Sequence, residues 1–410
     1  MSAKRIAIIG GGAAGLVASI AASGKGSKVY ILERLDRVGK KILATGNGRC
    51  NITNMNTDIS RFHGKDAGFI SEALKQFDVS TTIGFFENLG VKCKVEEGGK
   101  VYPYSDQASS VLDVLRYEAE RLGVVELCGY YVSQIRPKKS GFEIVIKDKE
   151  CLVVDRVIIA AGGKASPNLG SNGSGYELVK PLGHKLVEAF PALVQLKLDA
   201  PFLKALKGVK FDGEVTLGLG NKSLQSEQGE ILYTDYGISG PPIFQLSRRA
   251  GEQLAADKKP WLTVDMFCDS SYEDLMEILI KRMNNADEKP LDFSFVGLIN
   301  KRLIPILLKA SGIVDIHKPS KEVTKEELQS ICHKLKMWKF EVIGTQSWTE
   351  AQVTAGGIEV KDVNPITMES KLVKGLYFAG EILDIDGDCG GFNLRWAWSS
   401  GHIAGEYASQ

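Results

Sequence analysis

Gly10-Gly11-Gly12-Ala13-Ala14-Gly15 is the stretch that decides the fold. A short apolar run, Arg5-Ile6-Ala7-Ile8-Ile9, leads into it, and an alanine-rich helical stretch follows to about Gly24. Lys28-Val29-Tyr30-Ile31-Leu32-Glu33 closes the unit, so the order is strand, glycine turn, helix, strand, acid. Gly10 permits the tight turn, Gly12 lets the backbone approach a pyrophosphate, and Gly15 lets the helix pack closely on the strand. The free N–H groups from Gly12 to Ala14, with the positive end of the helix dipole, then point at phosphates. Glu33 arrives at the end of the second strand, where a carboxylate can accept both hydroxyls of an adenosine ribose. It would repel a 2′-phosphate, which disfavours NADP and leaves FAD or NAD.

The rest of the composition bounds what surrounds this unit. At 410 residues the chain exceeds one core of usual size and should divide into two or three domains. Its 51 basic and 50 acidic residues leave a formal net charge of +1, which offers no electrostatic footprint for nucleic acid or an acidic membrane. The expectation is therefore a small-molecule substrate, with no nucleic-acid or membrane partner. Seven cysteines (Cys50, Cys93, Cys128, Cys151, Cys268, Cys332, Cys389) include no CxxC pair, which suits a reducing compartment with no disulfide framework and no metal site. Met1 to Arg5 runs straight into the first strand, leaving no room for a signal peptide, and no apolar run has the length of a membrane span. A cytoplasmic location is expected.

Further along, Gly39 to Asn54 is rich in Gly, Asn, Thr and cations, a loop with many donors and little bulk that can lie along an extended anionic ligand. Residues 66–90 read as helical, as does Ser109 to about Leu122, and alternation from Val124 to Val154 suggests an antiparallel meander. Between them, Tyr102 and Tyr104 either face a substrate or, more commonly for aromatics beside a proline, pack. Val157-Ile158-Ile159-Ala160-Ala161-Gly162-Gly163 reads as a buried parallel strand whose end meets a ligand. Gly170 to Gly175 follows no strand directly and is not a second fingerprint.

From Phe190-Pro191 the pattern changes to short strands at Leu193 to Leu198, Glu214 to Leu219, Gly229 to Thr234 and Trp261 to Met266, with Tyr236 to Pro242 as a turn-rich segment. Helical periodicity follows at Tyr272 to Met283, Phe295 to Leu308 and Thr324 to Leu335, the last opened by a capping box at Thr324-Lys325-Glu326-Glu327. Leu376-Tyr377-Phe378-Ala379-Gly380-Glu381 then returns as a buried strand. A glycine loop and a helix from about Leu394 to Tyr407 follow it, and strand, loop and helix N-terminus together repeat the logic of the opening.

Taken together, these stretches resemble a known family. The fingerprint with Glu33, the Val157-to-Gly163 strand and the Gly380-Glu381 strand resemble the three FAD contacts of the glutathione-reductase-like flavoproteins. Gly39 to Asn54, Tyr102-Pro103 with Ser105-Asp106, Gly237-Ile238-Ser239-Gly240-Pro241, Val353 to Gly357 and Gly380 through Asn393 resemble a bacterial flavoprotein family. That family includes aminoacetone oxidases and a reductase of unsaturated 3-keto bile acids. The resemblance implies an α/β fold with a Rossmann-like FAD-binding domain built from both termini (1–190 and 352–410). A β-barrel-like domain (191–268 and 336–351) would interrupt it, carrying a small helical domain (269–335).

It also implies site residues. Gly10, Gly12, Ala13, Ala14 and Gly15 would hold the pyrophosphate, with Glu33 and the adjacent Arg34 at the adenosine. Lys40, Lys41 and the loop of Thr45, Gly46, Asn47, Gly48 and Asn51 would run beside the ribityl and phosphates. Val132 would meet the adenine, and Ala161 and Gly162 would end the second contact strand. Gly380 and Glu381 would meet the ribityl, and Gly391, Phe392, Asn393 and Leu394 the pyrimidine edge of the flavin. The expected activity is hydride transfer between FAD and a small organic molecule of the amine or enone/ketone class, with NADH, NADPH or oxygen as the co-substrate. An RNA-modifying flavoprotein and a non-catalytic FAD-binding protein are the alternatives. Asp235 and Arg395 depart from the family pattern, which commonly places His and a smaller polar residue there. The inserted module from about 191 to 350 would cover the open flavin face, since ligand sites favour domain interfaces. No catalytic residue is legible: the five histidines form no constellation, and Cys389 lacks a partner cysteine nearby in sequence.

Overall fold

The computed structural model describes residues 3–285 and 288–410. The chain forms two compact units, one from residues 1–191 with 351–410, the other from residues 192–350.

The first unit is built on a five-stranded parallel sheet. β1 (Arg5–Ile9) lies at its centre, between β2 (Lys28–Glu33) and the strand Arg156–Ile159, with Leu376–Phe378 and Val125–Cys128 at the edges. Ile6, Ala7, Ile8, Val157, Ile158 and Ile159 are all fully buried, because helices cover both faces of such a sheet and leave no polar side. The edge strand Val125–Cys128 corrects the expected meander: it pairs in parallel with β2, and only Val132–Pro137, Phe142–Ile146 and Leu152–Val154 form the antiparallel hairpins. A run of alternating apolar residues reads the same whether its partner is parallel or antiparallel.

α1 (Ala13–Gly24) is buried along nearly its whole length, from Ala14 to Ser23. The closing helix, Phe392–Ser409, accounts for this. A Cβ on Gly401 would stand 2.4 Å from the Ala14 carbonyl oxygen, and one on Gly405 would stand 2.3 Å from that of Ala18. The two glycines let the helix backbones touch, so each helix seals the other.

The region 66–90 is broken rather than continuous. Helix Ser71–Gln76 stops at Phe77 and a second helix, Val79–Asn88, restarts on the Asp78 side chain, which accepts from Thr81 N–H at 2.7 Å. Arg395 holds the break. Its guanidinium reaches into the interior to donate to the Phe77 carbonyl, Thr82 Oγ1 (2.8 Å) and Ser399 Oγ (2.5 Å). Burial lowers its pKa to about 10, still a cation at neutral pH. Arg395 is thus a clamp between the closing helix and the broken pair.

The second unit is a closed six-stranded barrel, in the order Leu196–Leu198, Gly237–Ser239, Lys222–Tyr233, Lys210–Leu219, Pro260–Asp265, Trp338–Thr345. The segment expected to be turn-rich supplies one of these strands and then opens a fifteen-residue helix, Pro241–Ala255. Prolines at the start of that helix mislead a reading for turns, since the first helical positions need no N–H. Helices Tyr272–Asn284 and Lys325–Met337 both begin in capping boxes, the second at Thr324 and Glu327. Between them the helices are Leu291–Ser294 and Ile304–Ala310, so 295–303 is a turn-rich connection and not the expected helix. Asp235 is exposed and pairs with Lys207 at 2.9 Å.

Candidate functional site

The site residues of the first unit gather around the start of α1. Gly10 has φ +104, and a Cβ there would strike the Ala160 carbonyl oxygen at 2.5 Å. A Cβ on Gly15 would lie 2.0 Å from the Gly10 carbonyl oxygen. At Gly12 the same construction meets nothing within 4 Å. Two glycines are thus demanded by the protein's own backbone, while the third faces open space at a helix N-terminus that no side chain caps. That is the arrangement an anionic pyrophosphate fits.

Glu33 is fixed by its backbone neighbours. One carboxylate oxygen accepts from Gly11 N–H at 2.9 Å, the other from Leu35 N–H at 2.8 Å. Each oxygen keeps lone pairs for a diol. Beside it, Gly129 N–H and Tyr130 N–H donate to the Leu35 and Glu33 carbonyls, which brings the buried Val132 to the same end of β2. Arg34 turns toward the loop after the Arg156–Ile159 strand and donates to the Gly170 carbonyl at 3.2 Å. Ala161 and Gly162 follow that strand, Ala161 against the turn at Gly10 and Gly162 at φ +70 against Ser171.

The two lysines divide. Gly39 N–H donates to the Gly11 carbonyl and starts helix Lys40–Ala44 beside the fingerprint. Lys41 pairs with Glu381 at 2.8 Å, whereas Lys40 pairs with the exposed Asp36. The other Glu381 oxygen accepts from Thr354 N–H at 2.9 Å, and Thr354 Oγ1 in turn accepts from Lys164 and Ala165 N–H. Thr354 is a residue that sequence reading did not single out; its motif, Val353 to Gly357, was the available signal. Gly380, at φ +77, donates its N–H to Ser400 Oγ, and its carbonyl accepts from Trp396 Nε1, so the closing helix holds it against Ala14.

From Thr45 to Asn51 the backbone is left-handed at Gly46, Asn47, Gly48 and Cys50. Two of these are not glycine, a strain of about 1–3 kcal/mol each that surrounding structure must hold. Thr45 Oγ1 donates to the Ile42 carbonyl at one end, and Arg49 binds Asp106 and Glu96 at 2.5 Å. The Cys50 thiol is sealed in the core, where burial pushes its pKa up to about 12. At the far end, the Asn51 side-chain oxygen is buried without a hydrogen-bond partner. It lies where a Cβ on Gly391 would come within 2.8 Å of it.

Gly391, φ +102, caps the closing helix, again without a side-chain cap, leaving the first N–H groups from Phe392 to Leu394 unused by the helix. Asn393 does more than supply an N–H. Its side chain accepts from Gly387 N–H at 2.8 Å and donates to the Gly387 carbonyl at 2.7 Å, closing the loop before the helix. Asp386–Gly387 pairs with Phe62–His63, and His63 Nε2 meets Asp388 Oδ1 at 2.7 Å. His402 stacks on Phe77, 4.5 Å between ring centres, and burial lowers its pKa; it packs. Among the described residues no group of His, Cys, Asp and Glu could hold a metal ion, and no helix is long and apolar enough to cross a membrane.

Comparison with known proteins identifies the family. Residues 4–407 match the family described as HI0933-like protein Rossmann domain. The chain is 42% identical over 410 residues to the 3-dehydro-bile acid delta(4,6)-reductase of Clostridium scindens, covering 99% of each protein. It is 28% identical over 398 residues to the ribosomal RNA dihydrouridine synthase of Escherichia coli, covering 96% of this chain and 95% of that one. Among solved structures, 3-ketosteroid delta1-dehydrogenase from Sterolibacterium denitrificans shares the fold along the whole of both chains, with a TM-score of 0.53 at 10% identity. The chain belongs to the HI0933-like Rossmann family and is an FAD-dependent oxidoreductase.

Proposed function

We propose that this enzyme reduces a carbon–carbon double bond conjugated to a carbonyl in a small polycyclic substrate of the 3-oxo bile-acid or steroid class. The observation that carries the reading is the 42% identity, spread over 99% of both chains, to a reductase of that substrate type. When bound, FAD supplies a two-electron carrier that gives a hydride at N5. The chain's own residues would orient it: Gly10, Gly12, Ala13, Ala14 and Gly15 at the pyrophosphate, Glu33, Arg34 and Val132 at the adenosine. Lys41, Gly380 and Glu381 would serve the ribityl region with Thr45 to Asn51, and Ala161 and Gly162 would support the turn. Lys40, engaged by Asp36, contributes charge rather than contact. The N–H groups from Gly391 to Leu394 would face the N1–C2=O edge of a bound flavin, and donors already in place there would stabilise negative charge without reorganising.

A second reading, reduction of uracil in ribosomal RNA, is favoured by the 28% identity to a dihydrouridine synthase. Uracil C5=C6 is also conjugated to a carbonyl, so the flavin chemistry would be the same and only the substrate differs. RNA binding asks for a basic face. Residues 192–350 carry 21 Lys and Arg against 22 Asp and Glu, which supports the small substrate.

The test is direct. Purified protein should be yellow and release FAD on denaturation; after anaerobic reduction with dithionite, a 3-oxo-4,6-diene bile acid should restore the oxidised flavin band and a ribosomal RNA transcript should not. The reverse pattern favours the RNA reading, and release of NAD in place of FAD sinks both. With one dinucleotide fingerprint, a nicotinamide donor must share the flavin face with the substrate, so parallel initial-rate lines are expected with NADH or NADPH.

The helix N-terminus has its own test. Asn393→Ala removes only the clamp on Gly387, while Asn393→Pro removes the clamp and one N–H of the first helical turn, which makes no intrahelical bond. Flavin reduction followed by stopped-flow absorbance should be about 10- to 100-fold slower in the proline variant than in the alanine variant, with FAD affinity nearly equal. Equal reduction rates would remove the N–H from the mechanism.

A further inference from the structure

Tyr102 lies where two loops of the first unit meet. Its strand, Lys100–Pro103, pairs with Thr53–Asn54, and Asn54 Nδ2 donates to the Gly390 carbonyl at 2.9 Å. On one side a Cβ on Gly46 would come within 3.2 Å of the Tyr102 ring. On the other, Cys389 is close enough to act on it electrostatically. The ring therefore lies against the Thr45 to Asn51 loop, and its strand is tied through Asn54 to Gly390, next to Gly391; these are the two segments proposed above for the ribityl and the flavin edge.

Tyr102 as a residue is 8% exposed, yet its hydroxyl has no hydrogen-bond partner among the described residues and is not among the sealed, unpartnered atoms of the interior, as those of Tyr176 and Tyr233 are. The guanidinium of Arg49 sits 4.0 Å from the ring centre, held there by Glu96 and Asp106. Burial keeps the phenol protonated, and the cation on its face favours the phenolate once a proton has left.

The two carboxylates that hold Arg49 are committed to their ion pairs. Asp106, through Lys94 and Arg49, and Glu96, through Arg49 and Lys94, are held ionised below the usual carboxylate range. His63 is tied to Asp388, and the Cys50 thiol is sealed.

We infer that Tyr102 is the proton donor of the conjugated reduction, an assignment that rests on the function proposed above. Hydride adds to the β-carbon, the π electrons shift toward the α-carbon, and the α-carbon takes the proton from Tyr102 as its O–H bond breaks. The phenolate left behind regains a proton from water. The two electrons come from reduced flavin, charged by a nicotinamide or, in the test, by dithionite.

Tyr102→Phe is the decisive variant, with the exposed Tyr104→Phe as its control. Dithionite-reduced holoenzyme is mixed anaerobically with a 3-oxo-4,6-diene bile acid or with a quinone, whose reduction needs no proton on carbon. Tyr102→Phe should slow reoxidation by the dienone at least about 100-fold and by the quinone less than about threefold. FAD affinity, the oxidised flavin spectrum and the affinity of the oxidised enzyme for the dienone should each change less than threefold. In D2O, the wild-type product should carry deuterium at the α-carbon in a single configuration, beside the deuterium that solvent-exchanged N5 delivers to the β-carbon. Dienone reoxidation within threefold of wild type overturns the assignment while leaving the function standing, as does an equal slowing with dienone and quinone. A wild-type enzyme that the quinone reoxidises and the dienone does not overturns both.

Discussion

Gly401→Val should unfold the FAD-binding unit or leave it unable to retain FAD. The glycine's α-carbon lies against the backbone of α1, and an added Cβ would stand 2.4 Å from the Ala14 carbonyl oxygen and 3.0 Å from its Cα. No side chain can rotate away, because the obstacle is main chain. α1 cannot retreat either, since Leu16, Val17 and Ala18 are fully buried. Overpacking where side chains can yield costs about 1–3 kcal/mol; here the expected loss is about 3 kcal/mol or more, with valine's poor helix propensity added. The functional loss follows from the same contact. Ala14 is in the first turn of α1 and Gly401 is in the helix whose start is proposed to meet the flavin edge, so forcing them apart moves both uncapped helix N-termini. Urea unfolding of the apoprotein and FAD binding by fluorescence should both deteriorate, with Gly401→Ala intermediate. A valine variant within about 0.5 kcal/mol of wild type would mean that the helices can separate without cost.

Why such a contact escaped sequence reading is instructive. Gly401 and Gly405 are four apart on a helix, a spacing that lets two helices approach, but in isolation it is indistinguishable from chance glycine. The opening fingerprint was legible because its three glycines are checked by neighbours: a strand before, a helix after and an acid at the end of the next strand. The parallel strands were legible as unbroken apolar runs. Pairing direction was not, and Val125–Cys128 was therefore assigned to the wrong sheet. The break at Phe77 has a local mark in the Asp78 cap, but the group that donates to its freed carbonyl, the Arg395 guanidinium, lies more than 300 residues away. Arg395, noted as a departure from the family pattern, serves packing. Lys40 and Lys41 are adjacent and alike in sequence; Lys40 pairs locally with Asp36, four residues before it, and only tertiary structure sends Lys41 to Glu381. The loop Thr45 to Asn51 was legible as donor-rich, but its strained conformation and the Arg49 contact with Tyr102 were not.

Glu33→Arg is expected to weaken FAD binding by about 100-fold or more, and to do so by two routes that can be separated. The sequence alone suggests the loss of a ribose acceptor, a charged hydrogen bond of about 1.5–3 kcal/mol. The structure adds a second role: the carboxylate holds Gly11 N–H and Leu35 N–H at 2.9 and 2.8 Å, one of them inside the glycine turn itself. Arginine has no acceptor to replace it, so two half-buried donors lose their partner and the turn loses the anchor that sets its distance from β2. The cation also finds no phosphate, only the positive ends of the same peptide groups. Apoprotein stability should therefore fall along with FAD affinity. Glu33→Gln distinguishes the routes, because its amide oxygen can keep one backbone bond while the site loses its charge. Its apoprotein should unfold at a temperature between wild type and Glu33→Arg, and its FAD affinity should fall by about tenfold. If Glu33→Arg binds FAD as wild type does, the acid has no part in the nucleotide site. If affinity falls while the apoprotein melts unchanged, the backbone bonds carry no stability and the ribose contact alone accounts for the loss.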